Sequence, residues 1–168
     1  MLSVRPLEPA DIDHLLVDVD ASTYMKRIVE RDNWSHKGMR AFVAENPHQD
    51  HGNQVPVLVG YAYVGLGYPP YFPALAGDVK QLYVAHLEVF ESFRRRGFAT
   101  QMLRYFTSEA QSRALGVHVV RAECEKGWRV DFYRRVGLLP VPYKGPRDDY
   151  PTPTHTMLEL WLTDPSSC

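Results

Sequence analysis

Two spacings of apolar residues alternate along the chain, one typical of strands and the other typical of helices. Pro9 stands at a first helical position, and the apolar residues after it recur at spacings of three and four, which predicts a helix. Runs of β-branched and aromatic residues predict strands. The predicted strands cover residues 2–5, 39–45, 55–64, 81–89, 117–124 and 156–162. The first predicted helix begins at Pro9, and three further predicted helices cover 24–34, 100–115 and 129–136.

The order of these elements predicts a mixed sheet. The strands over 39–45 and 55–64 are separated only by the polar run 46–54, so they should pair as a hairpin, whereas the later strands are separated by helices. The clearest helix is the one over 100–115, because its apolar residues form one stripe and Gly116 ends it. Together these features favour an α/β or α+β architecture with one core.

Composition is that of an ordinary folded domain. The chain has 168 residues, of which 45% are hydrophobic and 23% charged, so we expect a single domain over residues 1–168. The net charge of −1 argues against a nucleic-acid partner. Glycines and prolines interrupt the uncharged stretch 51–77, so we expect no membrane helix. The first residues lack a signal-peptide pattern and the cysteines have no motif spacing, which favours a cytoplasmic protein.

Basic residues are concentrated in one part of the chain. Between Arg94 and Arg135 there are ten Lys and Arg against four Asp and Glu, and the segment begins with the sequence RRRGFA. That sequence lies between a predicted strand and the clearest helix, where unpaired backbone N–H groups and the helix dipole favour an anion. Gly97 is small where a ligand must approach the backbone. The pattern is typical of a phosphate site, and a solvated basic turn is the alternative.

Four segments resemble the motifs of the GNAT superfamily of N-acetyltransferases. The run 94–99 is similar to the Arg-x-x-Gly-x-Ala signature that binds acetyl-CoA, and 87–89 is similar to the Leu-x-Val strand end before it. The run 132–138 resembles the family's Phe-Tyr-x-x-x-Gly-Phe helix end, and 59–61 resembles the preceding strand. The resemblance implies a GNAT fold, with a mixed central sheet of about six to seven strands flanked by about four helices.

The resemblance also implies an acetyl-CoA-dependent N-acetyltransferase and assigns residues to the cosubstrate. The main chain of the Leu-x-Val segment would pair with the pantetheine, and the signature would hold the pyrophosphate. Tyr133 occupies the family's general-acid position, from which a phenol could protonate the departing sulfur. The cosubstrate-binding residues implied in this way are Leu87, Val89, Arg94, Arg95, Arg96, Gly97, Phe98, Ala99 and Thr100.

The general base is less well defined. Family members place it at alternate positions before the Leu of Leu-x-Val, which here are Tyr83 and Ala85, and neither can act as a base. His86 and Glu88 lie on the opposite face of the strand by period-two counting unless a bulge shifts the register. With such a bulge, Glu88 is the predicted base. The open alternatives are a water chain without a dedicated residue, or a carboxylate on the next strand, Glu123 or Glu125.

The acceptor is expected to be a small-molecule primary amine. The segment 66–78 contains three prolines and three aromatic residues, and we expect this large loop to form a wall of the acceptor pocket through Tyr68, Tyr71 and Phe72. A peptide or protein acceptor, and a non-catalytic acyl-CoA-binding module, are the competing interpretations. A homodimer is compatible with the sequence.

No metal is predicted. His48, Asp50 and His51 are possible ligands, but a polar run of this composition is more typical of a solvated turn.

Overall fold

A computed structural model describes residues 2–17, 39–50, 53–66, 79–108, 114–142 and 154–162. The predicted helix over 24–34 lies outside these residues, as does most of the large loop 66–78.

Seven strands form one sheet in the order β1-β2-β3-β4-β5-β7-β6. The strands are β1 (Ser3–Pro6), β2 (Met39–Asp50), β3 (Asn53–Leu66), β4 (Gln81–Val89), β5 (Val119–Glu125), β6 (Leu139–Val141) and β7 (His155–Trp161). The described helices are α1 (Pro9–Val17), α2 (Phe98–Thr107) and α3 (Trp128–Arg134), with a 3-10 turn at Glu91–Phe93. Because β4 and β5 are parallel while β5 and β7 are antiparallel, the predicted mixed sheet is confirmed.

Contacts between residues divide the chain into two compact units. The first comprises Met1–Val64 and His86–Met102, and the second comprises Gly65–Ala85 and Leu103–Cys168. Each unit has its own buried apolar residues, among them Leu15 and Val43 in the first and Phe106 in the second. The expectation of a single folding domain stays a prediction.

In the first unit, Arg5 joins the first strand to the first helix and the second strand. Its guanidinium donates two hydrogen bonds of 2.7 Å to the carboxylate of Asp11 and one of 2.7 Å to Glu45, and these acceptors raise its pKa above the usual value. Asp11 also accepts the N–H of Glu8 at 2.8 Å, which satisfies an N–H at the start of α1. Pro9 follows at the first helical position, where its missing N–H costs nothing.

Strand β3 approaches β4 very closely at Gly60. A Cβ atom at this position would lie 2.3 Å from the carbonyl oxygen of Glu88 and 3.1 Å from the Cα of Val89. The N–H of Phe90 donates to the carbonyl of Val59 at 2.9 Å, so the close approach continues to the end of β4. Only glycine leaves room for the backbone here.

In the second unit, a buried arginine crosses the sheet. Arg121 is centrally placed on β5, and its side chain is only 4% exposed. Its guanidinium donates to Gln81 on β4 at 3.0 Å and contacts Glu159 on β7 at 2.5 Å. Buried charges of this kind require their partners, because an unpaired charge in a low-dielectric interior is very costly.

The structure differs from the prediction at several element boundaries and adds one strand. The polar run 46–54 is not a long connection, since β2 continues to Asp50 and β3 begins at Asn53; ladder hydrogen bonds come from the backbone, so polar residues do not prevent pairing. Helix α2 begins two residues earlier than predicted, at Phe98. Strand β6 was missed because it has only three residues and contains Pro140, which strands accept mainly at edges.

We expect Glu159→Gln to destabilise the protein by about 3 kcal/mol, because the buried Arg121 charge loses its counter-charge. The matched control is Glu125→Gln, which breaks the exposed ion pair between Glu125 and Arg129. This change should lower the free energy of unfolding by less than about 0.5 kcal/mol. Thermal or urea unfolding measures both. Equal losses for the two variants would contradict the role given to the buried pair.

Candidate active site

The chain leaves β4 through a short arginine-rich segment, which we call the arginine turn (Arg94–Gly97), and enters α2. The carbonyl of Gly97 accepts the N–H of Gln101 at 3.1 Å, which is the first hydrogen bond of the helix. Both Arg95 and Gly97 have positive φ angles, of 64° and 79°. Such alternation of backbone conformation turns successive N–H groups toward one concavity, and the first N–H groups of α2 have no intrahelical acceptors.

The three arginines of the turn have different environments. The Nε of Arg94 donates to the carbonyl of Val89 at 3.0 Å, so this side chain folds back onto β4. Arg96 donates to the carbonyl of Ser92 at 3.1 Å and lies over the Phe93 ring. Arg95 is exposed, and among the described residues its guanidinium has no hydrogen-bond or ion-pair partner.

The arginine turn fits the phosphate part of acetyl-CoA. Apart from Gly97 itself and its two chain neighbours, no described atom lies within 4 Å of the position that a Cβ would take there, so the backbone is open to a ligand. Ala99 and Thr100 follow in the first turn of the helix and are partly exposed, whereas Phe98 is buried and anchors the helix start. A helix N-terminus flanked by arginines suits a pyrophosphate.

The carboxylate of Glu88 lies in a polar cluster that we call the Glu88 cluster (Tyr61, His86, Glu88 and Arg94). The hydroxyl of Tyr61 donates to Oε2 of Glu88 at 2.8 Å, and Nε2 of His86 lies 3.2 Å from the same oxygen. The guanidinium of Arg94 lies 3.8 Å from Oε1. The His86 ring stacks on Tyr61 with centroids 5.4 Å apart. A hydrogen-bonded carboxylate, an imidazole and a guanidinium are thereby brought together at the end of β4.

Sequence reasoning named Glu88 and Arg94 but did not connect them with Tyr61. His86 and Glu88 do share one face of β4, as period-two alternation requires. Tyr61 is fully buried on the neighbouring strand, and its hydroxyl needs an acceptor there. A buried tyrosine directly after a glycine on the adjacent strand was the available signal. The role of Glu88 as general base stays a prediction.

Tyr133 lies on α3 in the second unit and is partly buried. Burial raises the pKa of its phenol to about 12, the nearby Cys124 acts in the same direction, and Arg129 acts against both. Its ring meets that of Phe132 edge-to-face, with centroids 5.1 Å apart. The phenol is therefore protonated throughout the neutral range, which is the form that a proton donor requires.

The two alternative carboxylates on β5 have unlike environments. Burial raises the pKa of Glu123, and the nearby His155 offsets part of this rise. Glu125 is half exposed and forms an ion pair with Arg129, as a surface residue does. Of the two, Glu123 has the environment that favours proton uptake.

Several predicted features cannot be placed. The proposed wall residues Tyr68, Tyr71 and Phe72 lie outside the described residues, and so do the side chains of His48, Asp50 and His51. Within the described segments, no three His, Cys, Asp or Glu side chains are grouped as metal ligands would be. No helix among those segments has the length and apolarity to cross a membrane.

The fold is that of known acetyltransferases. One similar solved structure is a KacTA–DNA complex, with 13% sequence identity and a TM-score of 0.66; the match covers 99% of this chain and 97% of that one. Another is AtaTR bound with acetyl-CoA, with 14% identity and a TM-score of 0.63, covering 99% of this chain and 96% of that one. The spermidine/spermine N-acetyltransferase SpeG from Vibrio cholerae is also similar, with 12% identity and a TM-score of 0.60, covering 96% of this chain and 92% of that one. No curated protein sequence matches the chain.

A family sequence model agrees with the structural likeness. The model of the acetyltransferase (GNAT) family matches residues 11–138, a range that includes β4, the arginine turn and Tyr133. The predicted family and the predicted GNAT fold with a mixed sheet are both confirmed. The chain therefore belongs to the GNAT family of acetyltransferases.

Proposed function

We propose that this protein transfers the acetyl group of acetyl-CoA to a primary amine of a small molecule, by direct attack in a ternary complex. The observation that carries the proposal is the arginine turn, where a helix N-terminus, two positive φ angles and an open backbone at Gly97 coincide. Acetyl-CoA in the similar AtaTR structure supports the choice of cosubstrate.

The first task of the chain is to bind the cosubstrate. Acetyl-CoA supplies an acetyl thioester whose sulfur is a good leaving group. The N–H groups that begin α2 would bind its pyrophosphate, and the exposed Arg95 has a guanidinium available for the same phosphates. Main-chain groups of Leu87 and Val89 would pair with the pantetheine as another strand does, and an N–H near Val89 would polarise the thioester carbonyl.

The second task is proton transfer. Tyr133 would donate the proton that the departing sulfur takes up, and its raised pKa keeps the phenol protonated well above neutral pH. Glu88 would act in deprotonating the amine, together with its neighbour His86, 3.2 Å away. In this assignment the phenol supplies one proton and the group at the end of β4 takes up the other, as acid–base catalysis requires.

The acceptor is the least constrained part. The likeness to SpeG, which is named for spermidine and spermine, supports a small amine. Other similar structures contain the toxin AtaT with its antitoxin and a KacTA–DNA complex, so a macromolecular acceptor or partner is the alternative to test. Tyr68, Tyr71 and Phe72 are proposed as an apolar wall for the acceptor, and a cytoplasmic location is proposed for the protein.

A thiol-release screen tests the function. We expect free CoA thiol to appear with at least one member of a panel of polyamines, aminoglycosides, amino acids and peptide N-termini, with mass spectrometry showing the acetylated amine. A peptide-only response would favour the protein-acetylating alternative. Binding of acetyl-CoA without thiol release from any amine would overturn the proposal in favour of a non-catalytic module.

Gly97→Glu should reduce CoA affinity by at least about a hundredfold, because a carboxylate would face the phosphates where the backbone is now open. The matched control is Gly116→Glu, since Gly116 also has a positive φ and, apart from its own chain neighbours, no described atom within 4 Å of its Cβ position. Calorimetric titration with CoA measures affinity, and thermal unfolding shows that the two variants carry similar strain. Equal affinity in the two variants would contradict the placement of the pyrophosphate.

Tyr133→Phe should lower kcat by about ten- to ten-thousand-fold while CoA affinity stays within about twofold, because only the proton donor is removed. Tyr105→Phe is the control: Tyr105 also lies in a helix and meets the next residue, Phe106, edge-to-face at 5.2 Å. Steady-state kinetics with the best amine of the screen measures both. A Tyr133→Phe variant as active as the Tyr105→Phe control would show that the phenol has no catalytic role.

A further inference from the structure

We propose that Arg121 is a positioning residue for acetyl transfer, because it fixes the register of β5 against both neighbouring strands. Its two partners are Gln81 on β4 and Glu159 on β7, and we call the three residues the Arg121 triad. The proposal rests on the proposed function, since the register of β5 determines where along β4 the pairing with β5 ends and the segment assigned to pantetheine begins.

Strand β5 pairs with its two neighbours over different lengths. Its antiparallel ladder with β7 includes all seven residues of β5, whereas among the described residues its parallel ladder with β4 comprises four pairs, residues 81–84 with 119–122. Strand β4 itself continues to Val89. The main-chain groups assigned to pantetheine, those of Leu87 and Val89, therefore come after the last pair of this ladder.

The apolar residues of the short ladder discriminate only weakly between registers. Leu82 and Val84 on β4 pair with Val120 and Ala122 on β5, and all four side chains are buried. In parallel strands that are buried on both faces, a shifted strand offers similar apolar side chains to the same neighbours. A shift that added ladder pairs toward Val89 would use the main-chain groups that pantetheine needs.

The contacts of the Arg121 triad, in contrast, depend strictly on the register. Glu159 is directly opposite Arg121 in the β5–β7 ladder, and their side chains meet at 2.5 Å. On β4 the ladder partner of Arg121 is Tyr83, and its guanidinium reaches back to Gln81 at 3.0 Å. A shift of one residue would turn the Gln81 side chain to the other face of the sheet, and a shift of two would move it by about 7 Å.

Burial makes these contacts decisive for the choice of register. The side chain of Arg121 is 4% exposed and Gln81 is 3% exposed, so water cannot replace the lost partner after a shift. A buried ion pair adds little stability compared with apolar residues of similar volume, whereas a buried charge that loses a partner is strongly destabilising. The triad therefore acts by penalising the wrong registers, and it adds little to the stability of the correct one.

An apolar replacement of the whole triad separates register from stability. In the triple variant Gln81→Met, Arg121→Met and Glu159→Leu the core stays filled, so we expect a urea midpoint no lower than that of the wild type. Apparent CoA affinity should fall about threefold or more, because only molecules in the native register bind. The KM for acetyl-CoA should rise accordingly, while kcat at saturation stays within about twofold, since the bound molecules all have the native register.

NMR of the backbone amides gives a readout apart from activity. The amides of β5 should give one set of signals in the wild type and two sets in the triple variant, the second set having its interstrand contacts displaced along β4. CoA should shift intensity to the native set, because a ligand that binds one state increases its population. The native fraction before CoA is added should account for the measured loss of affinity.

Two further variants complete the test. Thr156→Val is the matched control, because it also removes a polar side chain from β7 but lies on the opposite face from Glu159. It should keep the CoA affinity, the kcat and the single set of signals of the wild type. Gln81→Met alone keeps the ion pair of Arg121 with Glu159 and removes only the contact with β4, so it should raise the KM for acetyl-CoA and leave kcat within about twofold.

Each outcome either supports the proposal or overturns it. If the triple variant folds with wild-type CoA affinity, or with a single set of signals, the triad is only structural and the proposal is wrong. A lowered kcat with an unchanged KM also contradicts it. If the triple variant does not fold, Gln81→Met decides by the same criteria. If the wild type neither binds CoA nor releases thiol with any amine, the proposed function fails first, and this proposal fails with it.

Discussion

The close approach of β3 to β4 at Gly60 is the constraint on which the candidate site depends. A side chain there would meet the Glu88 carbonyl at 2.3 Å, so its absence allows the two backbones to lie together. The next residue, Tyr61, can then reach the Glu88 carboxylate, and the Phe90 N–H can bond to Val59 as the chain leaves the strand. One missing Cβ thus determines where the carboxylate lies and the direction in which the chain enters the arginine turn.

The proposed acid and the proposed base lie in two kinds of environment. Tyr133 is partly buried, and desolvation favours its neutral form, which holds a proton to give. Glu88 lies beside a hydroxyl, an imidazole and a guanidinium, at 2.8, 3.2 and 3.8 Å from its carboxylate oxygens. Desolvation acts in the same way on Glu123 of β5, where burial raises the pKa of the carboxyl.

Local patterns allowed much of the fold to be predicted, and non-local contacts were the part that could not be. The arginine turn and the start of α2 are contiguous in sequence, so their chemistry is visible in six residues. The contact of Tyr61 with Glu88 spans 27 positions and depends on the register of two strands, which alternation along one strand cannot determine. Strand β6 escaped prediction because three residues carry no periodic signal, and its pairing with β7 supplies the stability that its own sequence lacks.

Arg94 gives the arginine turn a mechanical connection to β4. The Nε of Arg94 donates to the Val89 carbonyl, and its guanidinium faces Glu88. The side chain of Arg94 therefore stabilises the turn through contacts with β4. Arg96 is similarly held by Ser92 and Phe93, which leaves Arg95 as the exposed guanidinium of the three without such a contact among the described residues. Two arginines thus use their donors to shape the turn, and this lowers the conformational entropy that the backbone would lose when its N–H groups bind an anion. A basic triplet of identical residues therefore contains two different roles, which only their contacts distinguish.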